Sequence, residues 1–98
     1  MAAYLLAEAR VSDSAAYESY RQLEQAAVAA HHGRYLVCDG ASEVLEGNWS
    51  CPEKLVVIEF ASVEQVKTFY NSVHYEAARV ARKDAVSMNL LVVQGLPL

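Results

Sequence analysis

Tyr4 to Val11 is apolar on both alternating faces until Glu8 and Arg10 interrupt it, the pattern of a strand. Ser12-Asp13-Ser14 follows with the short side-chain oxygens that cap helices, and Ser14 is taken as the cap. Ala16, Tyr20, Leu23, Ala27 and Ala30 then recur at helical spacing and predict a core stripe on a helix reaching about His31, with Tyr17, Glu24, Val28 and His31 flanking it. Gly33 is expected to hold the left-handed position after the helix end. Arg34 to Cys38 reads as a second strand broken by Asp39-Gly40, with Ser42 to Glu46 as a short continuation or hairpin arm and 47–52 as a loop. Lys54 to Phe60 carries an unbroken Leu55-Val56-Val57-Ile58 run, which suits a strand covered on both faces.

Ser62, three residues before Gln65, has capping-box spacing, and Val63, Val66, Phe69 and Tyr70 form an inward helical stripe after it. That helix is expected to stop or kink at Asn71-Ser72 and resume from His74 to about Asp84, before a last strand from Ser87 to Gln94. The order β-α-β-β-α-β predicts one α+β domain over 1–98, a four-stranded antiparallel sheet with its helices on one face. Its other face would then show Leu, Val and Ile to water. A second copy packed there resolves the conflict, because a two-fold interface is self-complementary.

Composition sharpens this picture. The chain is 54% hydrophobic and 20% charged, against about 45–50% apolar and ~25% charged in typical domains. The excess needs a dimer interface or an apolar pocket. A net charge of −4 with no Lys/Arg-rich stretch argues against nucleic acid as a partner. Cys38 and Cys51 belong to no C-x-x-C pair, so neither a zinc nor a redox motif is supported, and Cys38 is expected to be a small buried hydrophobe. No run approaches the ~20 apolar residues of a membrane span, and the start lacks the basic residues and long apolar stretch of a secretion signal. The expectation is a cytoplasmic protein with reduced thiols.

Several strings carry a resemblance: Tyr17-x-x-Tyr20, Gly33-Arg34-Tyr35-Leu36-Val37, Glu43-Val44-Leu45-Glu46-Gly47-Asn48-Trp49, Leu55 to Phe60, and Phe69-Tyr70-Asn71-Ser72 with Tyr75. In this order and over nearly the whole chain, they resemble a bacterial family of small proteins classified only as a domain of unknown function, within the dimeric α/β-barrel superfamily. The resemblance implies the ferredoxin-like fold and a dimer whose sheets close into a barrel. It implies no established reaction, since the superfamily spans cofactor-free monooxygenases, isomerases, cyclases, haem-degrading enzymes and pure binding domains. The chain departs from the family's pattern at His31-His32, at Cys38 and at Val73-His74. Haem-degrading relatives hold iron with a histidine where this chain has Arg79, and arginine does not ligate iron.

The candidate chemistry is sparse. Tyr17 and Tyr20 lie one helical turn apart and offer phenol donors or simple packing. Arg34 opens a strand and needs an anion, either Glu8, Glu46 or Glu59 within the chain or a carboxylate or enolate ligand. Glu59 itself is expected to be paired across a dimer or desolvated. Tyr75, Arg79 and Arg82 share one stripe, a basic rim or an anion site at a pocket mouth. His31 is the best general base, although a histidine at a helix C-terminus also has a purely electrostatic explanation. Trp49 is expected in the dimer interface or over a pocket. With no Gly-rich phosphate loop, ligand cluster or haem histidine, no tightly bound cofactor or metal is expected.

These residues predict a pocket between sheet and helices for a small apolar or aromatic ligand, with His31, Arg34 and Tyr20 as catalytic residues and Tyr17, Tyr70 and Arg82 as binding residues. The leading expectation is a cofactor-independent enzyme acting on a carbonyl-type molecule by proton transfer, cyclisation, isomerisation or oxygenation. The alternative is a non-catalytic small-molecule-binding or accessory homodimer.

Overall fold

The computed structural model describes residues 1–97, so Leu98 lies outside the described residues. Strand β1 (Ala3–Val11) is followed by helix α1 (Ser14–Ala30), strands β2 (Arg34–Gly40) and β3 (Lys54–Phe60), helices α2 (Val63–Tyr70) and α3 (Val73–Ala81), and strand β4 (Val86–Gln94). The strands form one antiparallel sheet in the order β2-β3-β1-β4, which with these crossovers is the ferredoxin-like arrangement.

Alternation along the strands sorts residues between the two faces. Ala3, Leu5, Ala7 and Ala9 of β1 and Val56, Ile58 and Phe60 of β3 are buried beneath the helices, and Met88, Leu90 and Val92 of β4 pack against this core. Small alanines on the central strand let the helix layer approach, and the bulk comes from Phe60, Phe69 and Tyr75, whose tilted rings pack in series with centroids 5.1 and 4.7 Å apart. Burying an aromatic of this size is worth about 1.5–3 kcal/mol. On the opposite face the register aligns Val57, Leu6 and Leu91 in one row across three strands, with Tyr4 beside Val93. Among the described residues no helix covers that row, and Leu91 stays 57% exposed.

Several local expectations shift. Asp13, not Ser14, caps α1, its Oδ1 accepting from the amides of Ala15 (3.0 Å) and Ala16 (3.3 Å). The buried stripe of α1 is Tyr17, Tyr20, Arg21, Glu24, Ala27 and Val28, while Leu23 and Ala30 are exposed. The helix is thus rotated so that polar side chains enter the core alongside Tyr20. The left-handed residue at its end is His32 (φ 61°), and Gly33 donates its amide to Val28 O at 2.9 Å, closing a Schellman turn. Gly33 is needed for space instead, since a Cβ there would lie 2.8 Å from the Phe60 ring and 2.9 Å from Val28.

Asp39-Gly40 does not break β2 at Cys38; both residues belong to the strand. The strand continues through register shifts after Tyr35 and Val37, and Asp39 sits in the left-handed region (φ 55°). Residues 42–46 form no strand. Ser62 caps α2 by accepting from the Gln65 amide at 3.1 Å, and Ser72 caps α3 through the Tyr75 amide at 3.2 Å, so the helix breaks at Asn71-Ser72 as the sequence suggests. Among the described residues, no helix is long and apolar enough to cross a membrane.

Candidate functional site

The inward stripe of α1 carries Tyr17, Tyr20, Arg21 and Glu24, at positions i, i+3, i+4 and i+7, so one helix face presents two phenols and an ion pair to the interior. The carboxylate of Glu24, 2% exposed, is the centre. Its Oε2 accepts from Tyr20 Oη at 2.6 Å, and its Oε1 accepts from Tyr35 Oη at 2.8 Å and from Arg21 Nη1 at 3.1 Å. Tyr75, delivered by the first turn of α3, reaches the Tyr20 hydroxyl at 2.8 Å. Because the Tyr20 proton is committed to Glu24, Tyr75 is the donor in that bond. The result is a chain from Tyr75 through Tyr20 to Glu24.

The β2 bulge completes the cluster. It places Asp39 so that its Oδ1 accepts from Tyr17 Oη at 2.6 Å, and Arg21 Nη2 reaches Cys38 Sγ at 2.6 Å. Cys38 is therefore an exposed hydrogen-bond acceptor and not the buried hydrophobe expected, because the register shift re-aims the strand. Burial, followed by the neighbouring Glu24, pushes the Tyr20 and Tyr35 hydroxyls well above the ordinary phenol range. Burial and the hydrogen bond to Asp39 do the same to Tyr17, and burial raises Tyr75. For Arg21, burial opposes the charge, but Glu24, Cys38, Tyr35 and Asp39 together outweigh it and the guanidinium is held protonated more firmly than usual. All four phenols are thus fixed as neutral donors.

An open cleft of about 390 Å³ lies between β4, α2 and Arg82 at the end of α3, and it meets this network through Arg82 and Tyr70. Leu5, Val66, Leu90 and Val92 give it an apolar lining, and Lys67, Tyr70 and Arg82 bring polar groups to it. Arg82 lies over the Tyr20 ring at 5.4 Å, and Arg79 lies over Tyr70 at 4.6 Å and Tyr75 at 5.9 Å. The Nε–H groups of both arginines are shielded from solvent, with no hydrogen-bond partner among the described residues.

Of the residues expected at the site, Tyr70 and Arg82 line the cleft, and Tyr20 lies behind Arg82. Tyr17 stacks on Tyr20 at 6.0 Å but turns its hydroxyl to Asp39. His31 caps the far end of α1, against Phe69 and His74 and outside the cleft lining. Arg34 lies on the other side of the sheet, its Nη2 2.8 Å from Glu59, so the two satisfy one another within a single chain. The pleat explains this: Arg34 pairs in register with Glu59 and alternates with inward Tyr35. Trp49 is 70% exposed. Sequence reasoning placed Glu24 only beside the core stripe and gave it, Arg21, Tyr35 and Asp39 no role in the site. The readable signal was a carboxylate in register with a buried tyrosine one turn away.

Comparison with known proteins comes down to the fold. Residues 2–96 match the family described as a domain of unknown function, DUF1330. No curated protein matches the chain. Among solved structures, a protein of unknown function from Rhodopseudomonas palustris is similar at a TM-score of 0.78 with 16% identity, over 99% of this chain and 84% of that one. A Caulobacter crescentus protein described as a candidate antibiotic biosynthesis monooxygenase is similar at 0.67 with 18% identity, over 98% of this chain and 91% of that one. A dimeric protein of unknown function and ferredoxin-like fold from Bacteroides fragilis is similar at 0.67 with 12% identity, over 96% of each chain.

Proposed function

The chain belongs to the DUF1330 family, and from that premise we propose that it handles a small, flat, carbonyl- or enol-type molecule in the β4–α2–α3 cleft and moves a proton on it. The observation that carries the reading is the hydrogen-bonded chain Tyr75–Tyr20–Glu24 lying behind Arg82, which lines the cleft and sits over the Tyr20 ring. The apolar walls and Tyr70 would hold a flat ring. Arg82 would stabilise negative charge developing on a substrate oxygen. A proton leaving the substrate would pass to the Tyr75 oxygen as the Tyr75 proton shifts to Tyr20 and the Tyr20 proton shifts to Glu24. Glu24 is then the final base, and the two phenols end neutral. Their raised pKa suits a relay, because neither rests as phenolate.

The test is hydrogen–deuterium exchange at the acidic C–H of flat 1,3-dicarbonyl and aryl ketone probes in D2O. Tyr75→Phe should cut the exchange rate by ~10²-fold or more while probe binding, followed by amide NMR shifts at Lys67, Tyr70 and Leu90, persists. Equal exchange in both proteins would remove the catalytic claim.

A second reading, a non-catalytic binding protein, is favoured by one feature: Glu24 is already satisfied by Tyr20, Tyr35 and Arg21. Probe binding without catalysed exchange in the wild type would decide for it. In either case we propose a second copy of the chain as the cover of the apolar outer row, a claim that sedimentation at micromolar concentration checks. The Bacteroides fragilis protein of the same fold is described as dimeric.

A further inference from the structure

Of the three histidines, all outside the cleft lining, two meet. His31 ends α1 and His74 lies in the first turn of α3, and their rings stand edge to face with centroids 5.6 Å apart at 71°. His31 is firmly placed. Its amide bonds to Ala27 O and Val28 O, its carbonyl accepts from Gln65 Nε2 at 3.4 Å, and its ring stands edge-on to Phe69 at 6.1 Å. Its Nε2 has no hydrogen-bond partner among the described residues and is shielded from solvent. An orphaned imidazole nitrogen beside a second imidazole is an unexplained polar group, of the kind a ligand resolves.

We propose that His31 and His74 form a binding site for one divalent transition-metal ion of the Zn2+, Ni2+ or Cu2+ class. The spacing fits. With metal–nitrogen bonds of ~2.0–2.1 Å and tetrahedral angles, two imidazoles on one ion have ring centroids about 5.2 Å apart, so the centroids need to close by ~0.4 Å and the His74 ring must rotate out of its edge-to-face pose to aim a nitrogen at the same ion. His74 is exposed and can turn to meet the fixed ring. Among the described residues no third His, Cys, Asp or Glu joins the pair, so water fills the remaining positions and the ion binds in the micromolar range or weaker and exchanges freely. Imidazole nitrogen selects these borderline ions over Mg2+ or Ca2+. A bound ion would tie the end of α1 to the start of α3, the helix that carries Tyr75. The proposal stands apart from the reading of the cleft, which uses neither histidine.

The experiment is calorimetric titration of tag-free protein with ZnCl2 and with NiCl2, followed by imidazole NMR signals. One ion per chain is expected, with His74→Ala and His31→Gln each weakening binding by about tenfold or more. His32→Ala, adjacent but outside the pair, should leave the affinity within about threefold. If His31→Gln is found unfolded by circular dichroism, the exposed His74→Ala carries the result alone. No binding by either metal up to about 1 mM, or equal loss in His32→Ala and His74→Ala, overturns the site.

Discussion

The two sides of the sheet invert the usual arrangement of polar and apolar groups. Beneath the helices the protein buries charge, and on the open side it exposes Leu91, Val93 and Leu36. An arginine–carboxylate pair sits on each side and makes the contrast measurable. Arg21–Glu24 spans 3.1 Å with side chains 8% and 3% exposed, while Arg34–Glu59 spans a shorter 2.8 Å with side chains 71% and 27% exposed. Distance would rank the outer pair first. Environment reverses the order, because a pair that water solvates gains little from contact, and one taken out of water is costly to break.

The largest effect should therefore come from Glu24→Ala. It leaves Arg21 without its main counter-ion and strips the acceptor from Tyr20 and Tyr35, all inside the helix layer. Breaking one partner of a buried pair costs about 3–5 kcal/mol, a sizeable part of the ~5–15 kcal/mol that holds a typical domain folded. Urea denaturation of the wild type and variant measures it. A loss under ~1 kcal/mol would mean that Arg21 swings out to solvent and that the cluster is less tightly packed than its hydrogen bonds indicate.

How far the sequence reveals each side follows from what sets it. The strands, the capped second helix and its break at Ser72 are legible because local chemistry fixes them: alternation, a serine oxygen over a free amide, a polar Asn-Ser pair. The apolar outer row is legible for the same reason, since period-2 patterning assigns Leu6, Val57 and Leu91 to one face whatever the loops do. The site is less so. A helical wheel built on Ala16, Leu23 and Ala30 is offset from the true buried face, and a small rotation about the axis turns Arg21 and Glu24 inward. The bulge that aims Asp39 at Tyr17 has no simple sequence signature beyond an Asp-Gly pair, which also reads as a break. Arg34 was attractive because it follows a glycine and opens a strand, yet the pleat alone sends it away from Tyr20.

A middle-sized effect should separate the faces by assembly instead of stability. Leu91→Asp puts a charge in the centre of the exposed apolar row. In a lone chain this site is already half open, so the cost should stay within about 0.5 kcal/mol, as for ordinary surface changes. Buried against a second copy, the carboxylate would have no partner, and the dimer should dissociate. Sedimentation is expected to read a dimer for the wild type and a species near 10.8 kDa for the variant. A wild type that already sediments as a monomer removes the second copy from the account.

The smallest effect should be that of Arg34→Ala. The guanidinium is mostly in water, Glu59 keeps access to solvent once it is gone, and exposed pairs contribute about 0–1 kcal/mol. The residue also lies across the sheet from Tyr20, Tyr75 and Arg82, so probe binding and exchange in the cleft should be unchanged. The same urea and NMR measurements applied to Glu24→Ala test both points. Raising the salt concentration should narrow the difference between wild type and Arg34→Ala further, since screening acts on exposed charges and barely on buried ones. A stability loss of several kcal/mol for Arg34→Ala would show that this pair is enclosed in the assembled protein. That enclosure could come only from the open side of the sheet, so the result would place Arg34 and Glu59 beneath the second copy and make the two ion pairs alike after all.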